Sequence, residues 1–228
     1  YYGPDSFHII AQVQSSRAML GRRGHAGFLT TTFTDAGTDI TLINDKGYDA
    51  CSYFFPDGKH LIWTSVRDKM GTSGKLEGDW SDWQHYPQGA ELYISDRQGG
   101  HVKRLTNNDY YEAEVTVSPD GKWIVFGRQI KGNMDLWVMN ADGTGEHQIT
   151  FTEDWQEGAP YFLPDSNTIL FRAWKASEYG QRPTPMTIFT IKRDGSDLKT
   201  QTHTHEMNWA PYPTPDGKHF LYVRIEPG

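Results

Sequence analysis

Cysteine is nearly absent from the 228-residue sequence, in which Cys51 is the single example. One cysteine excludes an intramolecular disulfide and a zinc site built from cysteine thiolates. Long apolar runs are also absent, and residues 1–20 do not combine a charged start with an apolar stretch. The sequence therefore predicts no transmembrane segment and no signal peptide within these residues.

Basic residues are fewer than acidic ones: the sequence has 22 lysines and arginines and 29 aspartates and glutamates, which gives a net charge of -7. No basic stripe lies among the aromatic residues, so nucleic acid is not an expected partner. Aromatic residues make up 14% of the chain, which also holds 23 glycines and 12 prolines. This composition favours short strands and tight turns, and hence an all-β protein.

A repeat dominates what the sequence does contain. The motif Pro-Asp-Gly-Lys stands at residues 56–59, 119–122 and 215–218, with degenerate copies at 4–7 and 164–167. An alternating apolar run follows each copy and predicts a strand with one buried face. A second strand, an Asp-Gly type turn, a short outer strand and a strand leading into the next motif complete each unit. Four antiparallel strands in about 40 to 50 residues are what a β-propeller blade requires.

The repeat is most complete in residues 118–150, which contain "SPDGKWIVFGR" and "DLWVMNADGTGEHQIT". These residues resemble the repeat of the TolB-like six-bladed propellers, and the resemblance covers nearly the whole chain. It is weakest over residues 1–36. The resemblance implies a non-catalytic bacterial protein, periplasmic or secreted, that recruits a protein or peptide partner at one propeller face.

The predicted fold is an all-β propeller of four-stranded antiparallel blades. We expect one domain over residues 1–228, forming a partial ring of about four to five blades from a ring of about six to eight. The blades are predicted at about 1–45, 46–107, 108–152, 153–203 and 204–228, the last of them incomplete.

The lengths of the units indicate where function lies. From the glycine of the Asp-Gly type turn to the next motif the interval is 19, 19, 21 and 20 residues, whereas from the motif to that glycine it is 33, 44, 24 and 31. Insertions therefore fall between second and third strands, at residues 15–26, 67–89 and 175–185. These loops and the blade-to-blade segments should share one end of each blade, here called the loop end, and both hairpin turns the opposite, turn end. We expect the loop end to bind the partner.

The longest of these loops holds Trp80, Trp83, His85 and Tyr86 among acidic residues. Aromatic side chains ringed by carboxylates suit a peptide or a carbohydrate. The alternative is that the tryptophans pack the loop against its neighbour.

A polar residue also recurs seven positions before each motif, as Asp49, Glu112, Glu157 and Asn208. These residues begin the innermost strands, so we expect them at a channel mouth on the loop end. Glu114 and Trp155, close by in sequence, join the predicted binding residues. Such a ring could bind a cationic peptide or a divalent cation such as calcium, or each member could serve hydrogen bonds at its own blade junction.

His203, His205 and Glu206 are weaker metal-ligand candidates, because histidines two apart in an extended segment lie on one side. An ordinary surface pair is the alternative, and Trp209 stands where a zincin motif needs its second histidine. No other cofactor is predicted.

Catalytic motifs are missing, since the sequence has no Gly-x-Ser-x-Gly elbow and no complete phosphate-binding loop. The chain is therefore predicted not to be an enzyme. The repeats also resemble the propellers of prolyl-oligopeptidase-like serine peptidases, which implies an alternative: a substrate-gating domain whose catalytic domain lies outside this chain. A metal- or carbohydrate-binding propeller is a third alternative.

Overall fold

The computed structural model describes residues 8–13, 27–32, 39–44, 49–69 and 82–227. Within these ranges the chain forms β-strands and one 3₁₀ turn, Ala176–Glu178. The predicted all-β class is confirmed.

The strands form five sheets that follow one another along the chain, each with its strands in sequence order. The first comprises β1 (His8–Val13), β2 (Gly27–Thr32) and β3 (Asp39–Leu42). The second comprises β4 (Asp49–Phe54), β5 (His60–Ser65), β6 (Glu91–Asp96) and β7 (Lys103–Arg104). The third comprises β8 (Tyr111–Val117), β9 (Trp123–Ile130), β10 (Asn133–Asn140) and β11 (His147–Gln148). The fourth comprises β12 (Trp155–Phe162), β13 (Thr168–Lys175), β14 (Thr187–Lys192) and β15 (Lys199–Thr200), and the fifth β16 (Met207–Pro213) and β17 (Phe220–Ile225). Consecutive up-and-down sheets of this kind are propeller blades.

The two hairpin turns of a blade lie together at the turn end, as the strand order predicted. The backbone N–H of Arg97 donates to the carbonyl of Lys59 at 3.0 Å, which joins the third-strand turn to the motif turn of the second sheet. In the third sheet, the N–H of Ala141 donates to the carbonyl of Lys122 at 2.9 Å. The turn end is therefore built from short, mutually bonded turns.

The motif aspartate holds its own turn closed. Oδ1 of Asp57 accepts from the N–H of Lys59 at 2.8 Å, and Oδ1 of Asp216 accepts from that of Lys218 at 3.0 Å. The residue after the aspartate needs a left-handed backbone, with φ 65° at Gly58, which glycine adopts without steric cost. The repeated Pro-Asp-Gly-Lys motif is thus explained by turn chemistry.

Each of the four innermost strands from β4 onward contains a residue in the left-handed region, five positions before the motif proline. These residues are Cys51, Glu114, Ala159 and Ala210, with φ of 39°, 55°, 48° and 51°. The strand pairing shifts by one residue at this point in β4, β12 and β16, which marks a β-bulge. The bulge interrupts the simple alternation of side chains along the innermost strand.

The chain divides into two compact units, residues 1–115 and 116–228. The core of the first contains Ile43, Phe54, Leu61, Trp63 and Tyr93. The core of the second contains Val125, Leu136, Val138, Ile149, Phe162, Ile169, Phe171, Ala173 and Ile191. Most of these residues come from the alternating runs, because period-two alternation places every second side chain on the buried face of its sheet.

Candidate functional site

Within each unit, backbone hydrogen bonds tie a long loop to the start of an innermost strand. In the first unit the N–H of Gly89 donates to the carbonyl of Tyr110 at 2.7 Å, directly before β8. In the second unit the N–H of Ala176 donates to the carbonyl of Asp154 at 2.7 Å, directly before β12. The loops that vary in length therefore share an end with these strand starts, as the spacing predicted.

Of the loop before β6, the structure describes residues 67–69 and 82–89, and Trp80 lies outside the described residues. Oδ2 of Asp82 lies 2.7 Å from Nδ1 of His85, and the N–H of His85 donates to the Asp82 carbonyl at 2.9 Å. The ring of Tyr86 packs on a tyrosine at the start of β8, with 4.6 Å between centroids. Trp83 is half-buried and His85 is exposed. Local contacts thus fix this part of the loop, and partner binding by these residues stays a prediction.

The recurring polar residues are buried at the starts of the innermost strands. Asp49, Glu112, Glu157 and Asn208 each expose at most 3% of their surface. A polar group buried to this degree needs hydrogen-bond partners, because desolvation without them is costly. Each of the four makes at least one hydrogen bond through its side chain, which favours the junction role that the sequence left open.

Glu112 is the best satisfied of these carboxyls. The hydroxyl of Thr106 donates to its Oε2, and the side-chain amide of Asn108 donates to its Oε1 at 2.7 Å. The Thr106 oxygen also accepts from the N–H of Leu92 at 2.9 Å. Glu112 therefore fastens the segment that follows β7 to the start of β8.

Glu157 occupies the equivalent place in the fourth sheet but has fewer donors. The hydroxyl of Thr152 donates to its Oε1 at 2.8 Å. Its Oε2 is buried and has no hydrogen-bond partner among the residues that the structure describes. Desolvation raises the pKa of Glu157 to about 8; the Thr152 bond opposes this rise, and the nearby charge of Asp135 adds to it. Glu157 is therefore mostly protonated at neutral pH.

The donor that Glu157 lacks is the counterpart of the Thr106 hydroxyl. Thr150 stands at that place and accepts from the N–H of Leu136 at 2.8 Å. Its own hydroxyl, however, points to Oδ1 of Asp135 at 3.4 Å. Because the Thr150 hydroxyl points to Asp135 and not to Glu157, Oε2 of Glu157 has no hydrogen-bond donor among the described residues.

Asp49 and Asn208 have partners of their own. The amide of Asn44 donates to Oδ2 of Asp49 at 2.6 Å. Burial raises the pKa of Asp49 to about 7, although hydrogen bonds from Ser65 and Asn44 oppose the rise. The amide of Asn208 donates to the carbonyl of Met186 at 2.8 Å, which joins β16 to the end of the preceding loop.

The remaining predicted residues lie in different settings. Glu114 is the left-handed residue of β8, so alternation from Glu112 does not fix its direction. Glu206 pairs with Arg224, whose Nη2 donates to its Oε1 at 2.8 Å, and Nε2 of His205 lies 3.6 Å from a carboxylate oxygen of Glu178. His203 is exposed. In the part of the chain that the structure describes, no group of three histidine, cysteine, aspartate or glutamate side chains is placed to hold a metal ion.

A cavity of about 390 Å³ lies beside Glu157 in the second unit. Trp155 and Glu157 both line it, because residues two apart on a strand share a face. The other lining residues are Ile149, Thr150, Phe151, Thr152, Phe171, Ala173, Phe189, Ile191, Gly195 and Leu198. The structure therefore brings two predicted binding residues together, in an apolar cavity between the segment after β11 and the fourth sheet.

Sequence reasoning missed the second acid of this region, Asp135, which is 8% exposed. An acid also precedes the corresponding leucine one blade earlier, where Glu91 is fully buried and accepts from Nη2 of Arg104 at 2.9 Å. Aligning the units on their third strands would have revealed this repeated acid. No sequence signal points to Phe151 and Leu198 as neighbours of one cavity.

Proteins of known sequence share this repeat. Residues 56–165 match the family model of the dipeptidyl peptidase IV N-terminal region. An uncharacterised protein of Agrobacterium fabrum is 26% identical over 99% of this chain and 84% of its own length. The Tol-Pal system protein TolB of Anaeromyxobacter dehalogenans is 30% identical over 57% of this chain and 25% of its own length.

Solved structures share the fold. A putative TolB from Agrobacterium tumefaciens superposes with a TM-score of 0.71 at 21% identity, over 100% of this chain and 73% of that one. TolB from Acinetobacter baumannii also gives 0.71, at 18% identity, over 99% of this chain and 49% of that one. The chain is thus a β-propeller module. Its fold is that of the TolB-like propellers, and its repeat is similar to theirs, as the motif predicted. Among the described residues, no helix has the length and apolar character to cross a membrane.

Proposed function

We propose that the chain is a non-catalytic propeller module that binds a protein or peptide partner at its loop end. The observation that carries the proposal is the set of exposed aromatic side chains in or beside the loop-end segments. The set comprises Tyr110, Phe151 and Tyr179, which are 38%, 76% and 57% exposed. Aromatic residues of this kind are the usual anchors of protein interfaces.

The resemblance to TolB proteins supports the same proposal. A relative named for the Tol-Pal system is 30% identical over 57% of this chain. The resemblance implies a periplasmic or secreted bacterial protein, and we assign this chain to that setting. The net charge of -7 favours a partner with a basic segment, because opposite charge accelerates encounter.

Selection from a phage-displayed library of random peptides of about 12 residues tests the proposal. We expect selected peptides to lose at least about tenfold in affinity with Trp83→Ala, Tyr179→Ala or both, since an aromatic anchor contributes about 1.4 kcal/mol or more. Isothermal titration calorimetry on the purified variants measures the loss, and circular dichroism confirms that they fold.

The turn end provides the matched controls. Lys122→Ala and Lys218→Ala alter exposed residues of the motif turns and should change affinity by less than about twofold. Peptides that bind both aromatic variants as tightly as the parent protein, or that are lost with the lysine variants, would contradict binding at the loop end.

The match of residues 56–165 to the dipeptidyl peptidase IV N-terminal region favours a second candidate function. In this alternative the chain is the substrate-gating propeller of a serine peptidase. The gene that encodes the chain distinguishes the two: a joined domain with a Gly-x-Ser-x-Gly elbow supports gating, and a complete reading frame without one supports the binding module.

A further inference from the structure

The cavity beside Glu157 has firmly held aromatic walls. Trp155 meets Phe189 edge to face, with 5.4 Å between ring centroids and 89° between planes. Phe189 in turn stacks on Phe171 at 5.5 Å. Because Phe171 belongs to the core of the second unit, this wall is anchored to the fold. Phe151 and Leu198 add exposed apolar surface, since they are 76% and 56% exposed.

One buried carboxyl lines this cavity and lacks a hydrogen-bond partner on one oxygen. Glu157 is 3% exposed and lines the cavity, and its buried Oε2 has no partner among the described residues. Leaving such an oxygen unpaired is costly, and a ligand that donates a hydrogen bond to the carboxyl would recover this cost. Glu112, its counterpart one blade earlier, has donors on both oxygens and offers no such opening.

The charges around Glu157 favour a cation. Asp135 and Arg172 are the charged groups that act on it, and their effects on its ionisation oppose each other. The segment that leads into β12 adds two exposed acids, Glu153 and Asp154. Lys175 also lies beside the cavity, with Nζ 5.3 Å from the centre of the Trp155 ring. Three acids, Asp135, Glu153 and Asp154, thus stand against two basic side chains, Arg172 and Lys175.

We propose that this cavity binds a primary alkylammonium group, with its carbon chain against Phe151, Trp155 and Leu198 and its ammonium donating to the carboxyl group of Glu157. An aromatic wall beside a carboxyl suits an apolar chain that ends in a cation. The volume of about 390 Å³ admits a four- or five-carbon chain. The group comes either from a lysine side chain of a partner or from a free amine. The site shares Phe151 with the loop-end aromatic set, but binding of a small amine is measured without any partner.

Binding changes the protonation of Glu157. The ammonium keeps its own proton, so the carboxyl must lose its proton to solvent before the buried ion pair forms. Asp135, Glu153, Asp154, Arg172 and Lys175 are the other charged groups near this site. About one proton per ligand should therefore be released near neutral pH, and binding should tighten between pH 6 and 8.5.

Calorimetry with three probes tests the proposal: cadaverine, N-acetyl-lysine methylamide, and the same lysine derivative acetylated on Nζ. We expect the two amines to bind and the neutral derivative to bind at least about tenfold more weakly. Titration in two buffers of different ionisation enthalpy measures the released proton. Tighter binding of the lysine derivative assigns the site to a partner's lysine, and tighter binding of cadaverine assigns it to a free amine.

Matched variants separate the site from general effects on the fold. Glu157→Gln and Trp155→Ala should weaken amine binding by at least about tenfold and fivefold. Glu112→Gln and Tyr110→Ala, at the same two positions one blade earlier, should change it by less than about twofold. Thermal unfolding identifies variants that retain the fold. Absence of binding at millimolar amine, equal binding of the neutral derivative, or undiminished binding by both folded cavity variants would overturn the proposal.

Discussion

The buried carboxyls at the blade junctions make the fold sensitive to pH. Burial raises the pKa of Glu157 to about 8 and that of Asp49 to about 7, so the native state holds these protons at a pH where the unfolded chain has released them. The contribution of these two carboxyls to stability is therefore largest below their unfolded pKa values, 4.5 and 3.8, and decreases as the pH rises towards 8. Mild alkali should weaken these junctions.

Glu157→Gln should remove most of this sensitivity at its own junction, because glutamine is neutral at every pH. We expect the parent protein to lose more free energy of unfolding than the variant when the pH rises from about 5 to about 9. The difference between the two losses should be at least about 1 kcal/mol. Urea unfolding across this range measures the difference. The exposed neighbour Glu153→Gln serves as the control and should leave the pH slope unchanged; a parallel slope in Glu157→Gln would contradict the prediction.

For single residues, the sequence shows that polar side chains recur at equivalent positions, but it does not show their hydrogen-bond partners. Alignment on the motif predicted Asp49, Glu112, Glu157 and Asn208 at equivalent places. It did not predict their burial, because that depends on how neighbouring sheets cover the strand starts. Nor could it show that Thr150 bonds to Asp135, since the direction of a hydroxyl follows from tertiary geometry.

The innermost strands share the left-handed residue of their bulge, and none of the four residues is glycine. A side chain in this region costs about 1 to 2 kcal/mol. Ala159→Gly should therefore raise the free energy of unfolding by up to about 1 kcal/mol, after allowance for the greater entropy of glycine in the unfolded chain. Ala173→Gly, at a regularly paired position of β13, should lower it by about 0.5 to 1 kcal/mol.

Urea midpoints of Ala159→Gly, Ala173→Gly and the parent protein measure both effects. Equal destabilisation by the two glycines would show that the bulge position is not strained. The strands themselves were predictable because alternation of apolar residues reports a buried face. The bulge was not, because cysteine, glutamate and alanine carry no sequence signal for a left-handed backbone.

Across the whole molecule, the motif aspartates give the chain a common response to acid. The pKa is lowered at Asp57, Asp120, Asp165 and Asp216. At Asp216 the hydroxyl of Thr214 and the amide of Lys218 lower it; at the other three, burial raises it but hydrogen bonds to the carboxylate outweigh burial. Their stabilisation is complete above 3.8, the unfolded value, and is lost as the pH falls through the lower folded values.

Replacing all four aspartates by asparagine should flatten this acid response, because asparagine still accepts the turn hydrogen bonds but does not titrate. The urea midpoint of the parent protein should fall as the pH decreases below about 4, and that of the variant should fall less. The two midpoints should therefore converge as the pH approaches about 2. Parallel curves would show that the turns do not contribute to acid unfolding.

The propeller fold followed from the repeat, because a fixed order of turns and alternating strands leaves few other architectures. The candidate cavity did not follow from it. Phe151, Glu157 and Leu198 belong to different parts of their units and meet only when two sheets pack. A cavity forms where the side chains of two packed sheets do not fill the space between them. The pattern of residues along the chain does not predict where this happens.

The bulge reverses the alternation of side chains within each innermost strand. Residues before it and after it follow opposite rules for which face they present, so one blade junction can begin with a buried polar residue and continue with an apolar core. A deletion that removed the extra residue would exchange inside for outside along half of the strand. The number of residues in the innermost strand is therefore constrained at the bulge. Recombination between blades should succeed only where it keeps this number unchanged.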